Sequence, residues 1–245
     1  MGDSLEHPQH INLRAEAVLG KSPFETRWSA NPRHLDDDRF SEYEKLAPGT
    51  NADIAYVQHM IHHLANDGVM AVIVPQSVLY RRGAGGRIRR YWIETLNYLD
   101  SVILLPAKIF YFTEFKTSIL VFKKRREHPG SIFFINASGD SQNARGRNYF
   151  HEDEIKKIVG TYRERRVEDE YSYSAPLEEV KENDYNLNIA LYMDAFEAEE
   201  RIDLRAHAKL LQTIEKRIIH ADTAIAESCR ELNILTPFLR YEEKK

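Results

Sequence analysis

The sequence has almost no cysteine, no long apolar run and no excess of positive charge. One cysteine, Cys229, among 245 residues excludes an internal disulfide and a cysteine-rich zinc site. It also suits a reducing compartment, which predicts a cytoplasmic protein. The apolar run at residues 69–75 is far shorter than the roughly 20 residues of a membrane-spanning helix. The first residues lack both a basic start and an apolar stretch, so they predict no signal peptide.

The charge is close to balanced. The sequence has 34 Lys and Arg residues against 38 Asp and Glu residues, which gives a net charge of −4. No global positive field therefore draws the chain onto nucleic acid, and any DNA contact must be local or supplied by a partner. A hydrophobic content of 42% and a charged content of 29% are typical of a soluble globular protein with a core.

The apolar segments predict an α/β fold. Residues 69–75 are apolar on both faces and rich in β-branched side chains, which is typical of a strand in the middle of a parallel sheet covered by helices. Residues 52–66 carry one apolar stripe and predict a helix with Gly68 at its C-cap. A second helix is predicted over residues 86–96 and a second buried strand over residues 101–105. Strands that alternate with helices at this spacing predict a doubly wound α/β unit.

Further strands flank this unit. Residues 15–20 form a short apolar run that ends in glycine and predicts a buried strand. Residues 117–123 and 131–135 are separated by a Pro129-Gly130 turn, so we expect an antiparallel hairpin at the far edge of the sheet. Residues 152–166 predict another amphipathic helix.

The composition changes near residue 195, which predicts two domains, residues 1–194 and residues 195–245. Residues 195–232 lack glycine and proline and repeat apolar side chains every three or four positions. This pattern predicts a long helix or a helical hairpin. Because such a helix cannot bury its apolar stripe within itself, it must pack on the domain or on another chain.

The end of the first predicted strand is a candidate site. Lys21-Ser22-Pro23-Phe24 follow that strand directly. The carboxyl ends of the strands are where α/β proteins bind their ligands. The long irregular connection after it, residues 25–49, has a length that is usually functional or mobile in a compact domain.

Eight short segments stand out in order along residues 1–195. They are Gly2-Asp3-Ser4-Leu5 and residues 16–24, 28–40, 51–56, 75–81, 85–89, 105–111 and 183–189. Taken as a series, they resemble the modification subunit of type I restriction–modification systems, a family of adenine-N6 DNA methyltransferases. The resemblance implies the C-terminal half of a Rossmann-like S-adenosylmethionine-dependent methyltransferase sheet, followed by a helical tail.

The resemblance also implies that the cofactor half of the sheet is absent. The family binds S-adenosylmethionine through a glycine-rich turn after its first strand, upstream of the segment that resembles Gly2-Asp3-Ser4-Leu5. We therefore expect the chain to be truncated at its N-terminus relative to the family and not to bind S-adenosylmethionine alone. Gly83-Ala84-Gly85-Gly86 follows a basic turn rather than a strand and does not replace that turn. No cofactor-binding residue is assigned.

The catalytic position departs from the family pattern. Lys21, Ser22, Pro23 and Phe24 stand where the family has Asn-Pro-Pro-Phe. In the family, the flipped adenine donates its amino hydrogens to the Asn oxygen and a Pro carbonyl, and the Phe stacks on the base. The ammonium of Lys21 has only donors, and its charge disfavours a cationic methyl donor nearby. We therefore expect an impaired or inactive site.

A local basic cluster is the candidate for DNA contact. Its members are Arg81, Arg82, Arg87, Arg89 and Arg90. Contact with DNA phosphates is one interpretation of this cluster. An ordinary solvated helix face is the other.

Three histidines lie close together in the first predicted helix. His59, His62 and His63 have a spacing that can suit a metal ion. No acidic or further ligand is placed with them, so we predict no metal site.

Two functions follow from this resemblance. The first is a fragment of a type I DNA methyltransferase subunit, whose family reaction transfers a methyl group from S-adenosylmethionine to adenine N6 in DNA. The resemblance implies that its partners are DNA, the specificity subunit and the restriction subunit, and we expect residues 195–232 to be the docking surface for the specificity subunit. The alternative is a non-catalytic interaction module for the specificity subunit or another partner chain. The unpaired strand at residues 15–20 also predicts self-association, and no membrane contact is expected.

Overall fold

The computed structural model describes residues 3–110, 114–144, 147–193 and 204–237. The chain forms two compact units, Met1–Ala195 and Phe196–Lys245. The first is an α/β unit that contains eight strands and four α-helices within its described residues.

The strands are β1 (Ala15–Lys21), β2 (Leu64–Pro75), β3 (Leu99–Leu104), β4 (Thr117–Lys123), β5 (Ser131–Asn136), β6 (Gln142–Ala144), β7 (Arg147–Tyr149) and β8 (Ser172–Pro176). Six of them form one mixed sheet in the order β1-β2-β4-β3-β5-β8. Strands β1, β2, β3 and β5 run in one direction, and β4 and β8 run against them. Strands β6 and β7 form a separate antiparallel ribbon.

Four helices accompany the sheet. They are α1 (Asp53–His62), α2 (Ala84–Arg90), α3 (Glu152–Glu164) and α4 (Leu177–Glu182). Helix α2 continues into a π-helical turn, Tyr91–Thr95. The described part of the second unit contains one helix, α5 (Leu204–Glu231), which lies within the predicted helical region. Among the described residues, no helix combines the length and apolarity needed to cross a membrane.

Burial on both faces of β3 and β5 confirms the predicted α/β class. Val102 and Phe134 face a large core shared with α1 and α2. Their neighbours Ile103 and Phe133 face the opposite side, where Ile158 of α3 closes a smaller core. Alternate side chains of a strand point to opposite faces, so these two strands need cover on both sides.

The predicted first helix is too long at its carboxyl end. Helix α1 ends at His62, and Leu64 already pairs with Ala15 of β1. Gly68 therefore lies inside β2 instead of capping the helix. A Cβ at Gly68 would lie 3.0 Å from the carbonyl oxygen of Ala15, so the glycine permits close approach of two backbones.

The predicted hairpin of β4 with β5 is wrong. Strand β3 lies between them, pairing antiparallel with β4 and parallel with β5. Strand β4 pairs antiparallel with β2 on its other side, so β2 is not in the middle of a purely parallel sheet. The Pro129-Gly130 pair correctly predicts a turn between β4 and β5, but it does not show which strands these two pair with. Inserted between two strands, β4 forms two ladders of hydrogen bonds, whereas an edge position allows one.

Strand β1 is the outer edge of the described sheet and is covered on one face only. On that face, a Cβ at Gly20 would lie 2.8 Å from Cε of Met60, so α1 packs closely here. On the other face Leu19 is 82% exposed, and Val69 of β2 is 39% exposed. The sheet therefore ends in unpaired backbone groups beside an exposed apolar surface.

This edge predicts self-association of the protein. Unpaired strand edges with exposed apolar side chains favour pairing with another chain. We expect light scattering after size-exclusion chromatography to show oligomers whose fraction falls in a Leu19→Lys variant. Leu191→Lys is the control, because Leu191 is also exposed, at 46%, but lies away from β1. A monodisperse monomer of the unaltered protein would contradict this prediction.

Candidate functional site

The segment Lys21-Ser22-Pro23-Phe24 leaves the carboxyl end of β1 next to β2. The N–H of Ser22 donates to the carbonyl oxygen of Ile73 at 3.0 Å, which holds this segment against β2. Gln76 follows β2 at the same edge, where its N–H donates to the carbonyl oxygen of Lys116 at 3.1 Å. The predicted catalytic segment therefore lies at the sheet edge where α/β proteins bind ligands.

The ammonium of Lys21 lies over the ring of Phe24. Its Nζ is 4.0 Å from the ring centroid of Phe24 and 5.8 Å from that of Phe110. Phe24 also makes edge-to-face contacts with Phe110 and Phe115, with centroids 5.9 Å and 5.6 Å away. A cation–π contact of this kind contributes about 0.5–1 kcal/mol at exposed sites. The ammonium therefore occupies a face of the aromatic ring.

Ser22 bonds to a buried carboxylate that the sequence analysis did not identify. Its Oγ donates to Oδ1 of Asp53 at 2.7 Å, and Ser22 and Asp53 are 1% and 0% exposed. Burial raises the pKa of Asp53, while hydrogen bonds from Ser22 and Asn51 oppose the rise. Oδ2 of Asp53 has no hydrogen-bond partner within the described part of the chain. Asp53 lies in the segment at residues 51–56 that resembles the family, and this was the sequence signal that could have identified it. A proline at position 22 has no hydroxyl and could not donate to Asp53.

An open cleft of about 280 Å³ lies beside this segment. We call it the carboxyl-edge cleft, and its lining includes Asn51, Tyr80, Arg81, Phe115 and Lys116. Tyr80 and Phe115 offer aromatic surface, being 45% and 36% exposed. Aromatic rings stack on bases, and cations contact phosphates. This combination can bind a nucleotide unit.

The five predicted DNA-contacting arginines divide into two groups. Arg82, Arg87 and Arg90 are exposed, and Arg81 is half-buried in the wall of the carboxyl-edge cleft. Arg90 forms an ion pair with Glu94 one turn later. These four side chains are at least partly exposed, and Arg90 among them is paired with a carboxylate.

Arg89 lies in the interior, at 3% exposure. Its Nε donates to the carbonyl oxygen of Tyr185 at 2.6 Å. Its Nη1 donates to the carbonyl oxygens of Val78 and Arg81 at 3.1 Å and 3.0 Å. Burial lowers its pKa to about 10. Arg89 therefore ties α2 to neighbouring segments and is not available to phosphate.

The three clustered histidines at the end of α1 contact two other segments, because His62 and His63 meet the chain before β1 and His59 meets Arg39 in the connection after β1. Nδ1 of His59 accepts from Nη1 of Arg39 at 3.0 Å. Nδ1 of His63 lies 2.9 Å from the carbonyl oxygen of Leu13, and Nε2 of His62 lies 3.1 Å from that of Ile11. Within the described ranges, no three His, Cys, Asp or Glu side chains are grouped so that they could hold a metal ion. The contacts favour a structural role.

His59 predicts a loss of stability in acid. Burial first, then the neighbouring charges of His63 and Arg39, lower its pKa to about 4 from 6.5. In the unfolded chain, the His59 imidazole takes up a proton more readily than in the folded protein. The contribution of neutral His59 to the free energy of unfolding is therefore complete above pH 6.5 and falls as the pH drops toward 4. We expect the urea midpoint to decrease across this window and His59→Gln to weaken that decrease. His220→Gln on the exposed face of α5 is the control, and an equal acid response in the two variants would contradict the prediction.

Known proteins resemble this chain in sequence and fold. Residues 1–201 match the family model described as N-6 DNA Methylase. The methylase subunit of type I restriction enzyme MpnII from Mycoplasma pneumoniae is 31% identical over 78% of this chain and 35% of its own length. The MjaVII methylase subunit from Methanocaldococcus jannaschii is 33% identical over 89% of this chain and 39% of its own length. The chain thus spans less than half the length of these relatives.

Crystal structures of similar proteins share the sheet. A type I restriction-modification methyltransferase subunit from Streptococcus thermophilus superposes with a TM-score of 0.74 at 38% identity, over 78% of this chain and 41% of that one. The EcoKI M protein superposes with a TM-score of 0.52 at 23% identity, over 66% and 33% of the two chains. These likenesses confirm the methyltransferase fold. Because the family model matches most of the chain, the chain belongs to the N-6 DNA methylase family, and the relatives described here are methylase subunits of type I restriction enzymes.

Proposed function

We propose that this chain carries the target-adenine side of a DNA adenine-N6 methyltransferase site, as part of a type I modification subunit, and that the site is impaired. The observation that carries this proposal is the position of the Lys21 ammonium, 4.0 Å from the ring centroid of Phe24. The ammonium occupies a face of the Phe24 ring on which a base would stack. It also offers only donors to an amino group that needs an acceptor.

We propose that the described residues supply only part of a cradle for S-adenosylmethionine. Gly83 precedes α2 and Gly85 lies in its first turn, and the element before them is a short helical turn, Gln76–Leu79, rather than a strand. A Cβ at Gly85 would lie 2.8 Å from Cδ1 of Ile54, so this glycine serves the packing of α2 on α1. Strand β1 has no neighbour on its outer side within the described sheet. We therefore propose that this chain does not bind the methyl donor by itself.

The proposed DNA contacts are local. Arg81, Arg82, Arg87 and Arg90 surround the beginning and end of α2, close to the carboxyl-edge cleft that Arg81 helps to line. Phosphate contacts from such a cluster need no net positive charge on the whole chain. A base entering this cleft would meet the rings of Tyr80 and Phe115.

The second candidate is a non-catalytic interaction module, and α5 favours it. Leu211, Ile218 and Ile225 recur at intervals of seven residues and are 66%, 49% and 45% exposed. Ile214, at 42% exposure, adds to the same stripe. Helices with this repeat pack against partner helices. We propose that the specificity subunit docks here, while DNA and the restriction subunit are the remaining partners.

One set of measurements separates the two candidates. Calorimetry measures S-adenosylmethionine binding, and a radiolabel assay measures methyl transfer to DNA, for the chain alone and with the specificity subunit and a cofactor-binding half. We expect neither activity from the chain alone. Slow transfer by the completed assembly supports the methyltransferase, whereas tight subunit binding without any transfer supports the module. Transfer by the chain alone would overturn both.

A further inference from the structure

A second cleft, of about 180 Å³, lies at the opposite edge of the sheet from Lys21. Its lining includes Arg14, Tyr98 and Lys124. The first two directly precede strands β1 and β3, and the third directly follows β4. These residues share the edge at which the parallel strands begin. We call this the amino-edge cleft. It is separated from the candidate catalytic segment by the length of the strands.

A buried carboxamide without a partner lines this cleft. Gln58 on α1 is 0% exposed, and in the described part of the protein neither its Oε1 nor its Nε2 has a hydrogen-bond partner. An unsatisfied buried polar group costs about 1–3 kcal/mol, and native proteins rarely leave one. Gln58 therefore offers a donor and an acceptor, side by side, to a ligand in the cleft.

Arg39 also lines the cleft, but its guanidinium is already engaged. Its Nε and Nη2 donate to the carboxylate of Asp37. Its Nη1 donates to the carbonyl oxygen of Ser4 and to His59, and its Nη2 donates to the carbonyl oxygen of Leu5. Arg39 is therefore not free to bind a ligand, whereas both polar atoms of Gln58 lack a partner within the described residues.

The rim of the cleft carries opposing charges. Arg14 and Lys124 are balanced by Asp38 and Glu42, which line the same cleft. Nζ of Lys124 already donates to the carbonyl oxygen of Leu64 at 2.8 Å. A free phosphate or carboxylate would meet repulsion as well as attraction here. An uncharged polar ligand is favoured over an anion.

Tyr98 gives the cleft a partly exposed aromatic ring, whereas Tyr43 is buried and its ring packs on that of Tyr91. Aromatic side chains stack on nucleobases without selecting among them. The volume of about 180 Å³ is below the roughly 300–1,000 Å³ of pockets for drug-sized ligands, so it suits a single base-sized ring system. These features define a small, flat and uncharged ligand with a hydrogen-bonding edge.

We propose that the amino-edge cleft binds a nucleobase with an adenine-type edge, in which an amino donor lies beside a ring-nitrogen acceptor. Glutamine pairs with such an edge through two hydrogen bonds. Oε1 of Gln58 accepts from the amino group, and Nε2 donates to the ring nitrogen. The base belongs either to a free nucleoside or to an unpaired nucleotide of single-stranded DNA.

Calorimetric titration of the full chain with adenosine tests this site. We expect purine riboside, which lacks the amino group, to bind about tenfold more weakly, because one hydrogen bond is lost. Adenosine monophosphate should bind no more tightly than adenosine, since the rim charges are balanced. An oligodeoxyadenylate that binds when adenosine does not would assign the base to single-stranded DNA.

A Gln58→Met variant separates recognition from folding. It keeps the length of the side chain and removes both polar atoms, so we expect at least about tenfold weaker binding of the adenine probe. Its thermal midpoint without ligand should equal or exceed that of the unaltered protein, because an unsatisfied polar group is gone. Gln212→Met on the exposed face of α5 should change neither quantity. Equal binding by Gln58→Met, binding of no probe by the unaltered protein, or a lower midpoint for Gln58→Met would each overturn the proposal.

Discussion

Lys21→Asn raises the rate of methyl transfer to DNA by roughly a hundredfold when a cofactor-binding half is supplied, and leaves the chain alone inactive. The asparagine oxygen accepts from the adenine amino group, and the loss of the ammonium frees the face of Phe24 that Nζ now occupies at 4.0 Å. One preorganised hydrogen-bonding group in a reaction site contributes about 10²–10³ in rate. The rate is measured by radiolabel transfer under single-turnover conditions.

To supply the missing half, we would use the part of the Streptococcus thermophilus subunit that lies outside the 41% matched by this chain. Lys45→Asn, on the exposed surface of the connection before α1, removes the same charge and should not change the rate. Activity in the lone Lys21→Asn chain would show that the methyl donor binds within these residues. An unchanged rate in the completed assembly would show that Lys21 does not limit the reaction.

Adding Ser22→Pro to Lys21→Asn tests a different contact. The double variant introduces the Asn-Pro pair that the resemblance implies for these two positions, and we expect it to remain inactive as a lone chain. It also removes the hydroxyl that donates to Asp53 at 2.7 Å. Because this carboxylate is fully buried, the double variant should be about 1–3 kcal/mol less stable than Lys21→Asn alone. The single variant is therefore the cleaner probe of chemistry.

Arg89→Met lowers the free energy of unfolding by about 3 kcal/mol, as measured by urea denaturation. Methionine preserves most of the buried stem, but the carbonyl oxygens of Val78, Arg81 and Tyr185 lose their donor. A buried acceptor left without a partner costs about 1–3 kcal/mol. This is among the largest effects expected for a single substitution in the α/β unit, because one side chain joins three segments.

Arg87→Met is the matched control on the same helix. Arg87 is exposed, so its replacement should change stability by no more than about 0.5 kcal/mol. It should weaken DNA binding and reduce the salt dependence of that binding, whereas Arg89→Met should leave the salt dependence intact in the folded fraction. A stable Arg89→Met variant with a reduced salt dependence would place Arg89 among the phosphate contacts.

Local patterns were enough to place most elements of the α/β unit. The sequence predicted residues 117–123 as a strand, and β4 has these limits. The helix predicted over residues 152–166 is α3, which ends two residues earlier. Such elements follow from the spacing of apolar side chains along a short stretch, and that spacing is visible without any knowledge of distant contacts.

Partners that lie far apart in the sequence could not be predicted in this way. The bond between Ser22 and Asp53 spans 31 residues, and the bond between Arg89 and Tyr185 spans 96. Arg89 lies among exposed arginines in the sequence, so the sequence alone grouped all five arginines of residues 81–90 in one basic cluster. Gln58 carried no signal at all, because an amide on a helix is unremarkable until the packing around it is known.

By itself, the sequence determined the α/β class and the family, because these depend on residue identity and local spacing. Only the tertiary structure decided that β3 separates β4 from β5, that the Lys21 ammonium covers Phe24, that Arg89 is internal and that Gln58 lines a second cleft. Strand order and burial depend on contacts between distant segments, and those contacts are selected by the packing of the whole core.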